Sequence, residues 1–336
     1  MSRPTEKKNM TDDAESVEKR LSDPEPRPED KSDTEATVAA DRRAAIAATK
    51  AKQREREALV LARRAAAEVF RERFNPFVME LLGYQGGKGD QAINIASEIN
   101  ERRKEGQIYL EPFAGGCSVL CKVDDRGPKA ASDSFAPLID LLEEIQGGWT
   151  PPKYVTRRAY NEARAYLCDL LGTKIYAEAA RRSDTLKQGD LPLKYIWALF
   201  AGSFGGEWMN AYVKANKKGD KPPSTEAYYR LRERLEEMPG GIESVKFFHR
   251  RYQDWLPHDA VIYADPPYIK VKNYRGRPFD TEEFWQLMDI WRRQGNTVLV
   301  SEQLGACPLP GNKVLFDYIA GPRGERTDAL YLLKRL

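Results

Sequence analysis

The sequence predicts a doubly wound α/β fold, a mostly parallel sheet interrupted by a helical insertion and preceded by a helical extension. Three observations carry this. From residue 76 onward, short β-rich runs alternate with helical stretches, the pattern that builds parallel sheets. Several of those runs are continuously apolar, as expected of strands buried on both faces. One of them ends in a carboxylate, two prolines and a ring at the strand end where open α/β sheets bind ligands.

The elements follow in order. Residues 1–36 hold Pro4, Pro24, Pro26 and Pro28 among many acids and almost no large apolar side chains, so they are expected to form a disordered acidic tail. Their charge is seven basic against eleven acidic residues, net −4. Residues 37–75 turn to alanine, arginine, lysine and glutamate without glycine or proline, which predicts a basic helix ended by Pro76. Thr37 to Phe74 carries net +5, and with the whole chain at +3 the body from residue 76 is left at only +2. Two readings of the basic helix stand: a phosphate-binding arm, or a solvated helix with a polar face.

The expected strands are Ile108–Pro112, Lys129–Asp133, Val245–His249, Ala260–Asp265, Thr297–Ser301, Lys313–Ile319 and Ala329–Leu333. Between Leu138 and Glu243 the sequence reads as helices, with a lysine- and glycine-containing loop at Lys214–Pro223. The resulting division is 76–143 and 244–336 for the two parts of the α/β body, with 144–243 as the insertion.

Composition narrows the chemistry. Four cysteines form no CxxC pair and there are two histidines, so neither a metal site nor a disulfide framework is expected. His249 and His258 lie in no nucleophile motif, which sets hydrolysis aside. No apolar run approaches the roughly 18 residues that cross a bilayer, and residues 1–36 lack a signal stretch, so a cytoplasmic protein without membrane contact is expected.

Three motifs remain. Asp265-Pro266-Pro267-Tyr268 follows the apolar run Ala260–Ala264. An adenine amino group is a poor nucleophile because its lone pair is delocalised into the ring. Hydrogen bonds from its N–H groups to Asp265 and the Pro266 carbonyl would localise that pair, while Tyr268 stacks on the base. The same four residues also describe an ordinary strand-end turn. In Tyr109-Leu110-Glu111-Pro112-Phe113-Ala114-Gly115-Gly116-Cys117-Ser118, a strand opens through glycines toward a helix, a loop that lets a ligand approach the backbone. Eighteen residues after Gly115 stands Asp133, suited to ribose hydroxyls or, alternatively, to capping a helix. Upstream, Tyr84-Gln85-Gly86-Gly87-Lys88 offers a lysine for a ligand carboxylate, or a plain surface turn.

Taken in order, these stretches resemble the Dam-like family of DNA adenine methyltransferases from about Phe77 to Leu333. The resemblance implies a seven-stranded methyltransferase sheet and S-adenosylmethionine held by Tyr84, Lys88, Glu111, Phe113, Gly115 and Asp133. It implies a catalytic clamp of Asp265, Pro266, Pro267 and Tyr268, with Asp265 also near the cofactor. The implied partner is double-stranded DNA, read by the insertion, with the target adenine flipped out, and the implied source is bacterial or phage. Cys117 and Phe135 depart from the family pattern and are expected to adjust packing around the cofactor. Gly205-Gly206-Glu207-Trp208-Met209-Asn210 looks like the segment preceding target recognition but differs from versions associated with GATC, so no recognition sequence is carried over. Two rival readings stay open: a methyltransferase of RNA or a protein amide, and a methyltransferase-like DNA-binding protein without catalysis.

Overall fold

The computed structural model describes residues 87–89, 91–213, 228–229, 231–232, 235–236, 238–268, 279–320 and 326–334. The acidic segment 1–36, the basic segment 37–75, Tyr84 and the loop at 214–223 lie outside these residues.

Seven strands form one sheet: β1 Tyr109–Glu111, β2 Lys129–Asp133, β3 Val245–His249, β4 Val261–Ala264, β5 Thr297–Gln303, β6 Asn312–Ala320 and β7 Arg326–Leu333. Their order is β3-β2-β1-β4-β5-β7-β6. The first five run parallel, and β7 inserts antiparallel between β5 and β6. The mostly parallel α/β architecture expected from the sequence is therefore present. Two strands coincide with their expected bounds. The others differ by one to three residues at an end, the largest difference being β7, which begins at Arg326 rather than Ala329.

The side-chain period of two divides each strand between the two faces of the sheet. Tyr109, Tyr263, Leu299 and Leu330 enter one apolar cluster, whereas Leu110, Ile262, Val300 and Tyr331 enter the other. Helix α1 (Gln91–Arg102) joins the first cluster through Ala92, Ile95, Ala96 and Ile99, the i, i+3, i+4, i+7 stripe of an amphipathic helix. Between β2 and β3 lie α2 (Ala136–Gln146), α3 (Arg157–Leu170), α4 (Tyr176–Arg182) and α5 (Leu193–Ala201), the helical stretch expected there. Thr156 starts α3 by accepting a hydrogen bond from the Ala159 N–H at 3.1 Å. The second cluster is closed by α6 (Thr281–Arg293), capped by Asp280 and buried through Phe284, Trp285, Met288 and Trp291.

Among the buried side chains that join the helical stretch to the sheet is one ring. Phe135, immediately before α2, is fully buried, with Trp208 at 4.9 Å and Phe200 at 6.3 Å between centroids. Trp208 in turn donates its indole N–H to Ser183 Oγ at 3.0 Å. The Gly202–Val213 turn is closed by the Ser203–Tyr212 bridge and by Phe204 N–H to Ala211 O at 2.8 Å, leaving the Phe204 ring 65% exposed.

No helix among the described residues is long and apolar enough to cross a membrane, and no cluster of His, Cys, Asp or Glu among them is arranged to hold a metal ion.

Candidate active site

Parallel strands deliver their carboxyl ends to one edge of the sheet, and the adjacent strands β2, β1 and β4 bring Asp133, Glu111 and Asp265 there. After β1 the chain turns sharply. Gly115 adopts φ 47° and Cys117 φ 58°, left-handed values that come easily to glycine and at a cost to cysteine. The turn is tied to β2: the Ala114 N–H donates to Ser132 O at 2.8 Å, and the Gly115 N–H to Asp133 Oδ2 at 3.3 Å. The other Asp133 oxygen accepts from the Phe135 N–H at 2.9 Å. Asp133 thus binds two loops together at the rim of the site. It is not the N-cap of α2, a position held by Phe135 without a side-chain bond.

Glu111 is buried at 3% exposure and accepts a hydrogen bond from Tyr109 Oη at 2.7 Å. Burial pushes its carboxyl up to about 8, against the pull of Tyr109, so the group is largely protonated at neutral pH. Lys88 lies directly before α1, its N–H donating to Ser118 Oγ at 3.3 Å and its carbonyl accepting from Gln91. Its ammonium forms an ion pair with Asp265 Oδ2. Burial raises the Asp265 carboxyl above the ordinary carboxylate range, and Lys88 opposes that rise.

Pro266 is buried and Pro267 half-buried behind Asp265. The Tyr268 ring lies with Lys88 Nζ 5.0 Å and Arg326 Cζ 5.1 Å from its centroid. Its hydroxyl is buried beside Asp265 and the Tyr318 hydroxyl, and Tyr318 in turn lies beside Ser301. Burial and the Asp265 charge raise both phenols.

The structure therefore gathers Lys88, Asp265 and Tyr268 in direct contact, places Asp133 on Gly115, and sets Glu111 within the fields of Lys88 and Asp265. Phe113 is half-buried in an aromatic group, 5.0 Å from Tyr252, 5.9 Å from Phe284 and 6.1 Å from Phe279. The two departures from the family pattern are both buried. Cys117 is fully buried in the turn, and Phe135 packs on the helical stretch.

Sequence reasoning missed two groups of residues. Trp255 donates its indole N–H to Ser132 Oγ at 2.8 Å beside Asp133 and carries Arg250 over its face at 4.5 Å. Its signal was an aromatic following the strand that pairs with Asp133. Arg326 and Asp328 reach the site from the antiparallel strand β7, and no local motif marks them.

Residues 84–301 match the family model for D12 class N6 adenine-specific DNA methyltransferases. That span covers well over half of the chain and includes all three motifs. No curated protein matches the chain.

Proposed function

Because the chain belongs to the D12 class of N6 adenine-specific DNA methyltransferases, an enzyme family, we propose that it moves a methyl group from S-adenosylmethionine to the exocyclic amino group of a flipped-out adenine in double-stranded DNA. The observation that carries this reading is the contact of Lys88, Asp265 and Tyr268 at the end of β4, beside the glycine turn that follows β1.

The residues at the neighbouring strand ends fit the cofactor. Gly115 leaves its backbone open to a ligand, Asp133 offers carboxylate acceptors at the rim for ribose hydroxyls, and Glu111 and Lys88 place an acid and a cation near Asp265. Phe113 and Tyr84 complete the proposed holding set, with Tyr84 assigned from the sequence motif alone. When bound, S-adenosylmethionine supplies an electrophilic sulfonium methyl.

The chain's own contribution is to hold the base and sharpen its nitrogen. Asp265 and the Pro266 carbonyl accept hydrogen bonds from the adenine amino group, which localises its lone pair. Lys88 keeps Asp265 ionised, and therefore an acceptor, against the burial that favours its neutral form. Tyr268 stacks on the ring, and Pro267 stiffens the turn that carries it. Orientation does most of the remaining work, because the reaction needs the amino nitrogen in line with the methyl group. Extruding the adenine costs on the order of a few kcal/mol of unstacking, which contacts to DNA must offset.

We assign those contacts to the insertion, residues 144–243. It carries the exposed Phe204, Lys153 over Tyr229 at 4.8 Å and Arg157 over Tyr212 at 5.7 Å. Cations interleaved with rings suit a phosphate backbone and its bases. The deciding experiment is to express the protein in cells lacking adenine methylation and sequence their DNA for N6-methyladenine. Methylated adenines in one sequence context are expected. Their absence, with a folded protein that binds S-adenosylmethionine, overturns the assignment.

A further inference from the structure

Beside Tyr268 stands a pair of side chains, Arg326 and Asp328, that neither its motif nor the family match includes. The hydroxyl of this tyrosine is buried beside Asp265 and Tyr318. Two cations meet the ring itself, Lys88 and Arg326. Lys88 is committed to Asp265, the carboxylate assigned to the incoming adenine, which it keeps ionised. Arg326 is tied to neither. Its Nε and Nη2 grip the two oxygens of Asp328 at 2.6 and 2.9 Å.

That grip has a rigid base. Residues two apart on a strand share a face, which brings Arg326 and Asp328 together on β7. Asp328 is 2% exposed and lies between Gln303 of β5 and Tyr318 of β6 in the sheet register. A planar guanidinium held at two points has its plane set, whereas an ammonium in the same place would be a freely turning point charge. The electron-rich face of a tyrosine ring attracts such a cation, and more strongly where water is excluded.

We infer that Arg326, aimed by Asp328, is a positioning residue that holds the Tyr268 ring in its stacking orientation. The inference rests on the reading of Tyr268 as the stacking platform. It assigns a role in the reaction to a strand beyond residue 301, where the family match ends.

The test is a double-mutant cycle on the full chain, measuring methyl transfer from radiolabelled S-adenosylmethionine to unmethylated plasmid DNA. Arg326→Ala should lower kcat roughly tenfold, the scale of a cation over a desolvated ring. Cofactor affinity by calorimetry and KM for the plasmid should be unchanged, and Arg326→Lys should fall between Ala and wild type. In a Tyr268→Leu background the Arg326 substitution should produce no further loss, because the group it positions is gone. A merely structural arginine would lower cofactor affinity as well, and its effect would be as large in that background. Should Arg326→Ala not fold, Arg326→Lys serves the same cycle. A slow Tyr268→Leu enzyme beside a normal Arg326 variant, or additive losses, overturns the inference alone. Full kcat in Tyr268→Leu removes the stacking reading and the inference with it.

Discussion

Ionising a carboxylate at the bottom of an apolar strand end is costly, and that cost sets how individual residues here respond to pH. Glu111 keeps its proton up to about 8 in the folded chain, against an ordinary value of 4.5. Between those values the folded state binds one proton more than the unfolded state, so the group's contribution to stability falls as pH rises through this window and levels off above it. Glu111→Gln removes the titration. The melting temperature of the wild type should therefore fall more steeply between pH 5 and pH 8 than that of the variant, and parallel curves would refute the assignment. Asp265 titrates in the same direction with a different consequence. As pH falls through its raised pKa the carboxylate gains a proton and loses an acceptor for the adenine amine, so the acid limb of kcat should lie above the ordinary carboxylate value of 3.8. Asp265→Ala should abolish methylation while the protein stays folded, and near-normal turnover would remove the proposed mechanism. Asp133 is tested by its two ties. If it serves the cofactor, Asp133→Ala weakens S-adenosylmethionine binding in calorimetry. If it serves only to join the Gly115 and Phe135 loops, melting temperature falls and affinity does not.

The elements show which parts of this fold could be read before any coordinates. Strands β2 and β3 fell where Lys129–Asp133 and Val245–His249 placed them, and β4 stood out because Val261 to Ala264 is buried on both faces. The start of β7 was hidden because Arg326-Thr327-Asp328 is polar and reads as loop. Its residues owe their strand state to pairing with β5 and β6, a long-range effect that no local pattern encodes. The same reason kept Arg326 out of the expected site, although Lys88, Asp265 and Tyr268 were all legible in short motifs. Phe135 shows both sides. Its departure from the family pattern was legible, but the packing of its ring on Phe200 and Trp208, which anchors the helical stretch, joins residues far apart in the chain and was not. Removing that ring opens a cavity where the insertion meets the sheet, so Phe135→Ala should cost about 3 kcal/mol or more. If the insertion carries the DNA contacts, KM for DNA should rise while cofactor affinity holds. Phe135→Ala with wild-type stability in denaturant titration would show that the anchor lies elsewhere.

At the scale of the whole molecule, charge is distributed unevenly along the chain. Residues 37–74 carry net +5 and the body from residue 76 only +2, while residues 1–36 carry −4. A nearly neutral body gains little from the phosphate backbone, so we assign a large share of nonspecific DNA attraction to the basic segment. Each phosphate met by Arg42, Arg43, Lys50, Lys52, Arg54, Arg56, Arg63 or Arg64 should add about 0.9 to the salt slope of DNA affinity. Deleting residues 1–74 should then weaken DNA binding and flatten its salt dependence while leaving cofactor affinity intact. The methylated sequence should not change, because phosphate contacts position a protein without reading bases. The acidic segment makes a separate test possible. Deleting residues 1–36 alone removes negative charge and should strengthen DNA binding at low salt, the opposite sign from the longer truncation. If Leu59, Leu61, Val69 and Phe70 instead pack on the body or on a second copy, the longer truncation lowers the melting temperature or changes the sedimentation behaviour. Affinity at two salt concentrations, measured beside sedimentation, separates the two, and an unchanged salt slope would exclude the phosphate-binding role.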